Sequence, residues 1–159
     1  MRPPLRVWIP TNRKYTSNRN RGRPKGMDGL NEIISQNRAN KNFGARIEQE
    51  NLLHCAWHIR KAMRKAGYAR MNEADRCRCN VYVTVIEPND QRDVANVLGG
   101  VLKYALDALT ARNKNGAGAI WDDNTQWMPR LVPSIRVDPE SPGIEITVIP
   151  LDLEGSHEA

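Results

Sequence analysis

The chain has 159 residues, a formal net charge of +6 and three cysteines, and none of its apolar runs approaches the roughly 20 residues needed to cross a membrane. This length predicts a single domain with a sizeable core. An odd cysteine count in a Lys- and Arg-rich chain indicates a protein of the reducing cytoplasm rather than one held together by disulfide bonds. From the cysteines we therefore do not expect a secreted disulfide-rich protein, and from the short apolar runs we do not expect a membrane protein.

Charge is distributed unevenly along the chain. Residues 1–80 carry 18 Lys and Arg against 6 Asp and Glu, whereas residues 81–159 carry 6 against 12. The basic half favours a polyanionic partner, because each phosphate that a protein neutralises releases counterions. The acidic half needs a separate explanation.

The first half of the chain predicts a strand, a long loop and a helix. Residues 5–9 are a short apolar run before Pro10, typical of a strand. Residues 10–43 are rich in Asn, Arg, Gly and Ser with little periodicity, which predicts a long basic loop. A helix is expected over residues 45–66, before Gly67. Its predicted buried stripe consists of Leu52, Ala56, Ile59, Met63 and Ala66.

The second half predicts a strand, a helix and a hairpin. Apolar and polar residues alternate over residues 79–85, the pattern of a half-buried strand. A second helix is expected over residues 94–111. Two further strands, 131–137 and 144–149, flank the turn sequence DPESPG and are expected to pair as a hairpin.

These elements predict one α/β domain over residues 1–150. The expected architecture is a sandwich in which a small mixed β-sheet is packed by two main helices. Residues 151–159 are acidic and are expected to form a flexible tail.

The basic loop contains the sequence RNRGRPKG at residues 19–26. Its side chains Arg21, Arg23 and Lys25 suit contacts with DNA phosphates, as an arm that touches a duplex or a junction. The same sequence is also compatible with a segment that inserts into the DNA minor groove as a hook, or with a loop that is merely solvated.

The second predicted helix carries a polar line opposite its broad apolar face. At 100° per residue, Asn96, Lys103 and Asp107 fall within about 40° of one another, and Asp93 stands at the helix start. A solvated face with Asp93 as helix cap is one interpretation, and a functional site is the other.

Two adjacent glycines lie inside this helix. A glycine in a helix interior costs about 1 kcal/mol relative to alanine. Gly99 and Gly100 therefore predict the close approach of another backbone.

Asp122 and Asp123 follow Trp121 in the loop after this helix. Two adjacent acids in a turn often serve as a cap. Phosphodiester hydrolysis, however, needs hard carboxylate oxygens that hold Mg²⁺. Asp93 could join Asp122 and Asp123 in such a site only if the connecting loop folds back along the helix.

The order of these residues resembles the RusA family of Holliday-junction resolvases. That family's pattern is a basic loop after a strand, an Asp-x-Asp-Asn segment, a Lys, an Asp-Ala-Leu segment and a closing Asp pair near an aromatic residue. The similarity extends over about residues 5–149. The positions that match are Arg21, Arg23, Asp93, Asn96, Lys103, Asp107, Trp121, Asp122 and Asp123.

The resemblance implies a Mg²⁺-dependent endodeoxyribonuclease, with Mn²⁺ as a possible substitute, that acts as a homodimer on four-way or other branched DNA. The implied catalytic residues are Asp93, Asp122, Asp123 and Lys103, of which the three acids are the metal ligands. The implied DNA contacts are Arg21, Arg23, Lys25, Arg92 and Asn96.

Two departures from the family pattern leave another function open. Ala95 stands where the family usually has a second Asp, and Lys103 follows Asn96 by seven positions rather than three. Seven residues return Lys103 to the same helix face. The alternatives are a branched-DNA or duplex-DNA binding protein that has lost cleavage, and a basic nucleic-acid chaperone unrelated to nucleases.

Overall fold

A computed structural model of the chain describes residues 2–39 and 42–151. These residues form one mixed α/β unit, as expected. Its six strands are β1 (Leu5–Pro10), β2 (Arg13–Lys14), β3 (Pro24–Lys25), β4 (Cys79–Glu87), β5 (Arg130–Val137) and β6 (Gly143–Pro150). Its three helices are α1 (Leu30–Ala39), α2 (Phe43–Ala66) and α3 (Val94–Leu109).

The main sheet has the strand order β1-β6-β4-β5. Strand β6 is antiparallel to both β1 and β4, whereas β5 is parallel to β4. The sheet is therefore mixed, and α3 makes the crossover that a parallel pair requires.

The expected hairpin of the last two strands is wrong, because β4 lies between β5 and β6. Strand β6 buries Ile144, Ile146 and Val148 and so belongs in the sheet interior. Strand β5 is largely exposed and contains Pro133, which an edge strand tolerates because one side of it needs no hydrogen bonds.

The core lies between one face of the sheet and the helices. In α2 the expected positions Leu52, Ala56, Ile59 and Met63 are buried, but Ala66 is exposed at the end of the helix. Strand β4 contributes three fully buried valines at alternate positions, as its sequence predicts: Val81, Val83 and Val85. The other sheet face carries half-exposed or exposed residues such as Trp8, Tyr82 and Glu145.

The prediction that residues 10–43 form one long loop is also wrong. Strands β2 and β3 pair as a small antiparallel hairpin, and α1 follows them. Helix α1 was not predicted from the sequence, because its apolar residues do not form a single buried stripe. Ile33 is buried, whereas Leu30 and Ile34 are exposed.

Two further expectations concern the end of the chain and the membrane. Apart from Leu151, the expected acidic tail lies outside the described residues. In the described part of the chain, no helix is long and apolar enough to span a membrane.

Candidate functional site

Three acidic side chains, which we call the acidic cluster, lie at the C-terminal end of α3. Asp107 is in the last turn of the helix, and Asp122 and Asp123 are in the loop that follows. Lys103 stands one turn before Asp107, and its Nζ lies 3.5 Å from Oε1 of Glu48 on α2. The charges of Asp123, Lys103 and Glu48 all act on Asp107.

The loop of residues 110–129 is attached to this end of α3 by its backbone. The amide of Ala117 donates a hydrogen bond of 2.7 Å to the carbonyl oxygen of Ala108. Gly116 permits this return, because a Cβ at that position would lie 2.0 Å from the carbonyl oxygen of Thr110. The loop therefore folds back only onto the last turns of the helix.

Asp122 organises the turn that presents Asp123. Its Oδ1 accepts a hydrogen bond of 2.9 Å from the backbone amide of Asp123, and its Oδ2 accepts one of 3.2 Å from Asn124. The same Oδ2 lies 3.5 Å from Nη1 of Arg112. Asp122 thus acts as the turn cap that adjacent acids in a loop suggest.

The pKa values of Asp107 and Asp123 are both raised. For Asp107 the causes are burial and then the charge of Asp123, which outweigh the opposing effect of Lys103. For Asp123 they are burial and then the hydrogen bond and charge of Asp122. Carboxylates whose ionised forms are disfavoured by their neighbours gain from a cation, and such groups are frequent at functional sites.

Asp93 does not join the acidic cluster, which corrects the expected set of metal ligands. It occupies the N-cap position of α3, where its side chain is exposed and makes no capping hydrogen bond. At about 1.5 Å per residue, the fourteen steps from the N-cap Asp93 to Asp107 correspond to a rise of about 21 Å along the helix axis. Within residues 2–39 and 42–151, no group of three or more His, Cys, Asp or Glu side chains is placed to hold a metal ion. Within the acidic cluster, Asp107 and Asp123 interact electrostatically at this end of α3.

Arg92, an expected DNA contact, is instead held inside an ion-pair network. Its Nε donates to Oε1 of Glu87 at 2.7 Å, and its Nη2 donates to Oε2 of Glu87 at 2.9 Å and to the Met27 carbonyl at 2.7 Å. Its Nη1 also donates to Glu32. Burial would raise the pKa of Glu32, but the hydrogen bond and charge of Arg92 lower it overall. Arg92 therefore joins the start of α3 to β4 and α1.

Asn96, another expected DNA contact, supports the start of α1. Its Oδ1 accepts a hydrogen bond of 2.6 Å from the backbone amide of Asn31. The start of α1 lies against Gly100, where an added Cβ would be 2.4 Å from the carbonyl carbon of Gly29. The close backbone approach predicted from the glycine pair is confirmed at Gly100.

The remaining expected DNA contacts lie on the β2–β3 hairpin. Arg21 and Arg23 are exposed on either side of Gly22, whose φ of 84° suits the turn. Lys25 is half-buried, with its Nζ 5.9 Å from the ring centroid of Tyr15. The hairpin ends beside Arg92, at the N-terminal end of α3, so it lies at the opposite end of this helix from the acidic cluster.

A stack of one arginine and two tryptophans near the cluster was missed by the sequence analysis. The guanidinium carbon of Arg76 lies 5.5 Å from the ring centroid of Trp121 and 4.7 Å from that of Trp127. Two tryptophans on either side of an Asp pair were the available signal. Glu48 was also missed, because nothing in the local sequence of α2 indicates that it faces Lys103.

Comparisons of the chain with protein-family models, curated proteins and solved structures find no match. Similarity to junction resolvases therefore rests on the residue pattern alone. The structure brings Lys103, Asp107, Asp122 and Asp123 of that pattern to one end of α3 and leaves Asp93 at the other.

Proposed function

We propose that this protein is a Mg²⁺-dependent endodeoxyribonuclease that cuts Holliday junctions or other branched DNA. The main support is that Asp107 and Asp123 lie at the same end of α3, where burial and then neighbouring acids raise the pKa values of both carboxyl groups. The residue pattern resembling junction resolvases adds the substrate class. The buried thiols of Cys55 and Cys79 fit a reducing cytoplasm.

A divalent cation fits the pair Asp107 and Asp123 better than the set first expected. Mg²⁺ is commonly held by one or two carboxylates and completes its shell with water and substrate phosphate. A bound Mg²⁺ or Mn²⁺ would lower the pKa of the attacking water and shield the phosphoryl oxygens. Asp122 would position Asp123 through the hydrogen bond to its amide.

Lys103 would complete the site with a positive charge for the phosphate. Its side chain is 63% exposed and its ammonium group is 3.5 Å from Glu48, so it is tethered but accessible. An ammonium group beside the scissile phosphate stabilises charge that develops on the oxygens. In a two-fold homodimer, two such sites would meet the two symmetric strands of a junction.

A DNA-binding protein without cleavage is the second candidate. It is favoured by the separation of Asp93 from the acidic cluster and by the presence of Ala95 in place of an acid. The exposed arginines of the hairpin would serve this function equally well.

Incubation of the protein with a labelled four-way junction, with Mg²⁺ or Mn²⁺ and with a linear duplex as control, separates the two candidates. We expect the parent to cut the junction, and Asp107→Asn and Asp123→Asn to bind it without cutting. A parent that binds the junction but cuts it with neither metal would favour the binding function. Cleavage that survives both substitutions would refute the proposed site.

A further inference from the structure

Three arginines converge on a surface cavity beside the loop of residues 110–129, which carries Asp122 and Asp123. Arg60 and Arg64 come from the last turns of α2, and Arg70 follows that helix. They line a cavity of about 360 Å³. The carbonyl oxygen of Gly116 accepts hydrogen bonds from Nη2 of Arg60, at 3.3 Å, and from Nη1 of Arg70, at 2.5 Å. These two guanidinium groups are therefore held side by side.

The charges of these arginines are not offset by carboxylates. Among the described residues, none of the three forms a salt bridge. Arg60 and Arg70 are held by backbone carbonyls, which carry only partial charges. The nearby acid Asp75 is paired with Arg2 at 3.0 Å. An anion in this cavity would meet guanidinium groups that are already in place, which favours bidentate phosphate binding.

The floor of the same cavity is apolar. Met63, Tyr68 and Ala117 line it and are each at most 5% exposed. A ligand that fits both parts has an anionic group and a flat, weakly polar body, and the cavity volume suits a small molecule. We propose that this arginine cavity binds a nucleotide, with its phosphate on the arginines and its base or sugar on the apolar floor.

The nucleotide has two possible sources, a free mononucleotide or one unit of a DNA strand. Only the second source rests on the proposed function. In that case a strand held here would lie beside the loop of residues 110–129, to which Arg60 and Arg70 are hydrogen-bonded and which carries Asp122 and Asp123.

Calorimetric titration of the full chain with dAMP, deoxyadenosine and inorganic phosphate, without divalent metal, tests the free nucleotide. We expect dAMP to bind at least about tenfold more tightly than deoxyadenosine, because only dAMP carries the phosphate. Arg64→Gln should weaken dAMP binding by roughly tenfold. Ala69→Glu, which places an acid at the cavity rim, should weaken it as well.

Lys65→Gln is the matched control, because it removes one exposed charge from the same helix turn but lies outside the cavity lining. Melting curves show whether each variant is folded. A fluorescent single-stranded oligonucleotide provides the second arm. Weaker oligonucleotide binding in Arg64→Gln and Ala69→Glu, but not in Lys65→Gln, without measurable dAMP binding would assign the site to a strand.

The site is refuted if both cavity variants bind dAMP and oligonucleotide like the parent, or if Lys65→Gln weakens binding as much as they do. Both arms measure binding without metal. Nucleotide binding in the cavity can therefore be demonstrated even if the protein does not cut junctions. Conversely, a parent that cuts junctions, with both cavity variants binding normally, would refute the cavity alone.

Discussion

The carboxylates of Asp107 and Asp123 lie close enough for the charge of Asp123 to raise the pKa of Asp107. One residue is in the last turn of α3, and the other is in a loop that returns to the same end of that helix. Burial raises both pKa values before the neighbouring acids add to the effect. In the folded protein without a cation, the ionised pair is therefore a source of instability.

Replacing Asp123 by Asn is expected to stabilise the folded protein at neutral pH. The gain should be about 0.5 kcal/mol, because solvent screens partly exposed charges. A raised pKa means that the folded state binds the proton more tightly than the unfolded state does, so the parent loses stability as the pH rises from the ordinary value of 3.8 through the raised pKa. The advantage of the variant should therefore vanish on acidification to about pH 4.

Urea denaturation of parent and variant at several pH values measures this difference. Glu73→Gln serves as the control, because Glu73 is an exposed acid of the same chain. An advantage of Asp123→Asn that stays constant from neutral to acidic pH would show that the folded state does not disfavour the ionised form of Asp123.

The glycine pair of α3 offers a second test of the packing. A Cβ at Gly100 would lie 2.4 Å from the carbonyl carbon of Gly29 and 2.5 Å from the amide nitrogen of Leu30, so the start of α1 would have to move. We expect Gly100→Ala to destabilise the protein by about 2 kcal/mol or more. At Gly99 the nearest atom is the flexible Leu30 Cδ2 at 3.4 Å.

Gly99→Ala is therefore the matched control, and its higher helix propensity should leave stability unchanged or raise it by up to about 1 kcal/mol. Thermal melts of the two variants report the comparison. Equal destabilisation of both would mean that helix α1 does not approach α3 in solution as described.

The sequence predicted those elements whose periodicity is strong. Strand β4, with its alternating valines, and helix α3, with its broad apolar face, were both found within about two residues of their ends. The sequence did not indicate that β4 lies between β5 and β6. A turn sequence such as DPESPG shows that the chain reverses, but it does not show whether another strand is inserted between the two flanking strands. Register and strand order depend on contacts that are distant in sequence.

The candidate site was predicted only in part, because it also depends on contacts that are distant in sequence. The polar line of α3 identified Lys103 and Asp107, because positions on one helix face follow from local geometry. Whether Asp93 meets Asp122 and Asp123 depends on where the loop of residues 110–129 returns. Backbone hydrogen bonds to the last turns of α3 decide this, and no local pattern indicates them.

Arg92 provides a third prediction. Removing its side chain would leave Glu87, which is only 4% exposed, and the half-buried Glu32 without their partner. We expect Arg92→Met to destabilise the protein by about 3 kcal/mol, because an unpaired buried carboxylate is costly. Chemical denaturation measures the loss.

Arg136→Met is the matched control, because Arg136 also forms a bidentate pair, at 2.9 and 3.2 Å, with Glu145. This pair lies on the open face of the sheet, which is the face that the helices do not cover. Both partners are exposed there, so this substitution should hardly change stability. If Arg92→Met were tolerated equally well, the network at the start of α3 would not be structural, and a role for Arg92 in binding DNA would have to be reconsidered.

The last prediction concerns the β2–β3 hairpin. Arg21 and Arg23 are exposed, and the structure gives their side chains no salt bridge within the described residues. If they meet phosphates, replacing both by Ala should weaken DNA binding and reduce the slope of log affinity against log salt by about 2. The melting temperature should stay the same, because neither side chain is part of the core.

The double substitution of Arg6 and Arg130 by Ala is the control for total charge. Both residues are exposed on the open face of the sheet, and the pair removes the same charge as the hairpin variant. Fluorescence anisotropy with a labelled junction, titrated at several salt concentrations, gives both slopes. We expect only the hairpin variant to change the slope, because a contact with phosphate releases counterions locally, whereas a distant charge does not. Equal changes in both variants would mean that the hairpin contributes only to the overall charge and is a solvated turn rather than a DNA-contacting arm.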